Sequence, residues 1–61
     1  MKYRLRPVSD GYVLEREGES WSAKFPSLQA AIMHAEKEAG SKGGKLTVLS
    51  SEGKAKMELV L

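Results

Sequence analysis

Residues 25–40 read FPSLQAAIMHAEKEAG, and this stretch decides the fold. Leu28, Ala31, Ile32, Ala35 and Ala39 fall at offsets 0, 3, 4, 7 and 11, one apolar stripe along a helix. Pro26 favours an extended entry for Phe25. Ser27 is placed to cap the helix, its hydroxyl accepting from a free amide of the first turn. Position 30 is alanine, so there is no full capping box. Gly40 stands where a helix commonly stops, and Gly43 and Gly44 follow in a loop. The stripe is mostly alanine, which allows a second layer to come close. A helix of ~13 residues is marginal alone. It needs a sheet.

The flanking segments supply one. From Lys2 to Val8, Tyr3 and Leu5 alternate with Lys2, Arg4 and Arg6. Pro7 lacks an N–H, so this strand is expected to be an edge or to end there. Ser9, Asp10 and Gly11 form a turn, and residues 12–17 form a second strand with Tyr12, Leu14 and Arg16 on one face. Gly18 and Glu19 turn into a third strand, residues 20–25, with Trp21, Ala23 and Phe25 on one face. After the helix, residues 45–50 and 54–61 form two more strands around a Ser51-Glu52-Gly53 turn. In the last strand Ala55, Met57, Leu59 and Leu61 are expected inside, with Lys54, Lys56 and Glu58 outside. The expected fold is a two-layer α+β domain. Its order is strand-strand-strand-helix-strand-strand, in a mostly antiparallel sheet with one helix packed on one face. The expected core is Tyr3, Leu5, Tyr12, Leu14, Trp21, Phe25, Leu28, Ala31, Ile32, Ala35, Leu46, Val48, Met57 and Leu59.

Sixty-one residues give a single small α+β domain, 1–61. A chain this short buries about 60% of its unfolded surface and gains much from a partner. There is no cysteine, which excludes disulfides and thiolate metal sites and suits a reducing compartment; a cytoplasmic location is expected. No apolar run approaches the ~18 residues of a membrane span, and the charged start MKYRLRP has no apolar stretch of a secretory signal. The net charge of +2 is too mild for a dedicated nucleic-acid protein. Its distribution is uneven: the two ends are basic, and residues 10–20 carry Asp10, Glu15, Glu17 and Glu19 against Arg16.

Several of these features occur together in one known group. They are the aromatic-x-Leu strand opening at Tyr12, the Gly18 turn, the Phe25-Pro26-Ser27 lead-in and the Ala30–Ala35 helix segment. The Lys45–Val48 strand and the Glu52-Gly53-Lys54 turn complete the set. Over residues 10–58 the chain resembles a family of short prokaryotic proteins catalogued as a domain of unknown function, number twenty-one eighty-eight. That family usually has threonine and a basic residue where this chain has Ser27 and Leu28. The resemblance implies the fold and a prokaryotic origin. It implies no activity and no site residues.

The sequence offers four kinds of candidate site. The first is the polar sheet face, where Lys2, Arg4, Arg6, Lys24, Lys54 and Lys56 could contact a nucleic-acid backbone. The plainer account is a solvated sheet face, with Glu15, Glu17 and Glu58 pairing across strands and no aromatic interleaved for base stacking. The second is the apolar C-terminal run Leu59, Val60 and Leu61, an association edge for a homodimer or a protein partner. The third is the set of aromatics Tyr3, Tyr12, Trp21 and Phe25, which the core requires before any ligand pocket does. The fourth is His34, the only histidine, expected as a solvated residue at the margin of the stripe and paired with Glu38 at i+4. Gly43-Gly44-Lys45 lacks phosphate-loop spacing, and no nucleophile–base set can be assembled. The expectation is a non-enzymatic interaction module with no cofactor and no membrane partner. Protein association through the last strand is favoured, and low-specificity nucleic-acid contact is the alternative.

Overall fold

The computed structural model describes residues 2–61. The chain runs β1 (Lys2–Val8), β2 (Gly11–Arg16), β3 (Ser22–Phe25), α1 (Leu28–Ala39), a short 3-10 turn (Gly40–Lys42), β4 (Lys45–Leu49) and β5 (Ala55–Val60). The expected element order and the α+β class hold. The strands form one sheet in the spatial order β3-β2-β1-β4-β5. Three pairings are antiparallel, and the fourth, β1 with β4, is parallel, with Tyr3 beside Leu46 and Leu5 beside Val48. The sheet is therefore mixed. Its parallel seam needs a long crossover, and α1 supplies it.

This topology corrects the expectation for the first strand. β1 is central and continues through Pro7 to Val8. Its ladder with β4 ends at Leu5, so Pro7 has a neighbour on the β2 side only, opposite Tyr12. A strand with one open side tolerates a missing donor.

The helix begins and ends as its residues dictate. Ser27 Oγ accepts from the Ala30 N–H at 3.1 Å. At the other end Gly40 has φ +58, and its N–H donates to the Glu36 carbonyl. Ala31, Ala35 and Ala39 are buried and meet Tyr3, Leu5, Leu14, Leu46 and Val48 in the core. Tyr12, Trp21, Phe25, Leu28, Ile32, Leu59 and Leu61 are partly buried around it. A row of alanines gives the helix no bulk of its own, so aromatic and leucine side chains from the sheet fill the interface.

The helix packs over β2 and β3. The far half of the sheet receives less cover. Met57, expected in the core, is 42% exposed. Ala55, also expected inside, is exposed, because the register slips between Val48 and Leu49.

Gly11 is a close backbone approach. It opens β2 with φ +154, and a Cβ there would lie 2.3 Å from the Phe25 carbonyl oxygen. Only glycine lets β3 sit this close to the start of β2.

Candidate functional site

Three features outside the core bear on function. The first is the sheet face turned away from the helix. Alternation along β1 puts Lys2, Arg4 and Arg6 there, all exposed, and Lys24 joins them from β3. Two of these four cations are neutralised. Arg6 Nε donates to Glu15 Oε1 at 3.1 Å, and Lys24 Nζ lies 2.5 Å from Asp10 Oδ1. The Lys24 hydrogen bond and charge hold the Asp10 carboxyl below its ordinary range. Lys54 lies in the turn before β5, and Lys56 lies on β5 at the far edge of the sheet. The six lysines and arginines expected to form one patch are thus split. Lys45, which the sequence reading passed over, stands beside Lys2 in register, and Thr47 stands beside Arg4. Among the described residues no ion pair engages Lys2, Arg4 or Lys45.

The second feature is a layered cluster at the β3 side of the helix. The Arg16 guanidinium lies 4.4 Å from the centre of the Trp21 ring. Trp21 stacks on His34 with ring centres 6.0 Å apart and planes 9° apart, and Phe25 tilts against His34 with ring centres 5.0 Å apart. Glu38 ties the layers together. Its carboxylate accepts from Arg16 Nε at 2.5 Å and contacts His34 Nε2 at 3.0 Å. Arg16 also donates to Glu19 at 3.2 Å. The hydrogen bond to Glu38 holds the guanidinium further toward its charged form, against the opposing effect of burial.

The His34–Glu38 pairing was expected; the sandwich around His34 was not. The signal was present at Arg16, a charged residue in phase with Tyr12 and Leu14 and therefore aimed at the helix side. Arg16 sits opposite Tyr3 in register, where β2 runs out from under the core. Trp21 precedes the ladder, which begins at Ser22, and packs on Arg16 instead of extending the strand to residue 20. Hydrogen bonds join Arg16 to Glu19 and Glu38 and Glu38 to His34, so the cluster acts as a clasp between helix and sheet. Among the described residues no group of acids and histidine is arranged to hold a metal ion.

The third feature is the β5 edge and the groove beside it. β5 pairs with β4 and has no strand on its other side. Every residue of β5 except Leu59 is exposed, and Val60 is 87% exposed. Of the three C-terminal residues expected at an association edge, only Val60 is turned out to solvent. Leu59 and Leu61 pack against the core, and the Leu61 N–H donates to the Gly44 carbonyl at 2.8 Å. Between β5 and the first turn of α1 lies an open groove of about 350 Å³. Pro7, Tyr12, Leu28, Val48 and Met57 line it, with Lys56 at its rim. The β4–β5 turn beneath is wound around Ser50. The Ser50 hydroxyl accepts from the Glu52 and Lys54 amides, each at 3.3 Å, and the Ser50 N–H donates to the Lys54 carbonyl at 2.7 Å. These bonds fix where β5 starts and so fix the edge.

No helix among the described residues is long and apolar enough to cross a membrane. Comparison with protein-family models, with curated proteins and with solved structures finds no match to this chain.

Proposed function

We propose that this chain is a non-enzymatic association module that joins another polypeptide through the β5 edge. The observation that carries the reading is a whole edge strand left bare. Its outward backbone groups have no strand beside them, its side chains are exposed, and an apolar groove runs alongside. An uncovered strand edge offers a row of donors and acceptors to an added strand, and an adjacent pocket can take one of its side chains. The resemblance drawn from the turns and helix adds a prokaryotic setting to this proposal. The cysteine-free composition adds a cytoplasmic one.

A second reading rests on a specific observation. Lys2, Arg4 and Lys45 lie together on the open sheet face, free of carboxylate partners among the described residues. Such a group could contact a phosphate backbone, with binding that weakens steeply as salt rises. No aromatic side chain stands among them to stack bases.

One experiment separates the two. Amide NMR spectra of labelled protein are recorded at two protein concentrations, then with short single- and double-stranded nucleic acids at low and moderate salt. The association reading expects concentration-dependent shifts along residues 56–60 and none with nucleic acid. Salt-sensitive shifts at Lys2, Arg4 and Lys45 on adding nucleic acid, with residues 56–60 indifferent to concentration, would replace it with the second reading.

A further inference from the structure

We infer that the partner at the β5 edge is a second copy of this chain, paired antiparallel with β5 in a register centred on Met57. The inference rests on the association reading above and adds the partner and the alignment.

The backbone sets what the edge can offer. The Leu61 N–H is bonded to the Gly44 carbonyl, and Lys45 pairs with Val60 in the same register. In an antiparallel ladder, bonded and non-bonded pairs alternate. The groups of residues 57, 59 and 61 therefore face β4, and those of Lys56, Glu58 and Val60 face the free edge. Two copies related by a twofold axis through the sheet keep their helices on one side. Residues of like facing then stand opposite each other, so the axis must pass through a residue position.

Charge selects among the positions. An axis through Lys56 would place Lys56 against its own copy, and an axis through Glu58 would do the same with Glu58. Like charges directly opposite are destabilising. An axis through Met57 places Lys56 opposite Glu58 of the second copy, twice, once on each side. Both are exposed, and neither forms an ion pair among the described residues, so the pairing displaces no existing partner. Met57 then meets its own copy at the centre, where 42% of it is now bare. One alignment thus satisfies the charges and covers Met57, while its neighbours along the strand are repelled.

The test is charge exchange read by sedimentation equilibrium, with circular dichroism to confirm folding. Lys56 and Glu58 are exposed, so their variants should keep the fold. The unaltered chain should associate as dimers. Lys56→Glu and Glu58→Lys should each weaken the dimer at least tenfold, and the double variant K56E/E58K should return to within about threefold of the unaltered chain. Dimers that ignore the single changes, or that the double change fails to restore, would overturn the register and leave the association reading standing. A chain that stays monomeric at millimolar concentration, with residues 56–60 unshifted, would overturn both.

Discussion

β3 and β5 end the same sheet and are finished in different ways. β3 is four residues long, lies under the helix, and leads directly into Pro26 and the Ser27 cap. Its outward lysine is held by Asp10, and the Trp21–His34–Phe25 stack closes its helix side. β5 is six residues long, starts from a pinned turn, and has neither helix nor side-chain cluster beside it. A short edge, a lysine and a following proline are the usual guards against stray pairing. β5 has a register slip and lysines of its own, yet it offers a regular run from Met57 to Val60. The contrast teaches that this domain does not lack the means to close an edge. It closes one and leaves the other open, the edge at which association is proposed.

The sharpest way to break the closed side is at Gly11. Gly11→Ala would drive a Cβ into the Phe25 carbonyl in a backbone conformation that side chains rarely adopt. A loss of roughly 2–4 kcal/mol, enough to unfold a domain this small, is expected in urea denaturation. A normal midpoint would show that β3 can shift away freely, and the closed edge would then be closed only loosely.

Core truncations measure the two halves against each other. Leu14 is fully buried on β2, and Leu14→Ala should cost about 2–5 kcal/mol. Met57, on the bare half, should cost under about 1 kcal/mol when changed to Ala in dilute solution, where any dimer has dissociated. Equal losses at the two positions would erase the distinction between covered and bare halves.

A smaller effect is expected at the clasp. Glu38→Gln leaves the shape but removes the charge that Arg16 and His34 share. The denaturation midpoint should fall less than for Leu14→Ala, and Trp21 fluorescence should change as Arg16 leaves its ring. Unchanged fluorescence would mean that the guanidinium is held by stacking and Glu19 alone.

The smallest effect concerns pH. Lys24 holds the Asp10 carboxyl below its ordinary value of 3.8. The folded form therefore gains from the pair at any pH above that value. The gain disappears as pH falls through the lower folded-state value. Asp10→Asn should flatten this acid limb of the stability curve and leave neutral stability nearly unchanged, since both groups are exposed. An acid limb identical in the variant would remove Asp10 from the account of the closed edge.

The fold was legible where local signals agreed. Ser27, the alanine stripe and Gly40 marked the helix to within a residue or two, and alternation from Tyr3 and Leu5 marked β1. The parallel seam could not be read, because strand order depends on which edges find each other across the helix, and no local pattern in β1 or β4 states it. Met57 was misplaced for the same reason. Its spacing is that of a core residue, but one helix of twelve residues cannot cover five strands. The expected basic patch was divided by topology, with β5 carrying Lys56 to the opposite end of the sheet from Lys24. The exposed end of β5 was legible at Val60, where an apolar residue follows Lys56 and Glu58 on the outward phase.

The parallel seam also sets an order of events. The β1–β2–β3 meander joins neighbours in sequence, and each of its contacts closes a short loop. The pairing of Lys2 with Lys45 must wait for a loop containing β2, β3 and the whole helix to close. The β4–β5 hairpin, tied by its own turn, can form separately and dock as a unit. The middle strand of the sheet is then flanked on one side by early structure and on the other by the last piece to arrive. An amide-exchange experiment should find that hairpin opening ahead of the meander, carrying its bare edge with it.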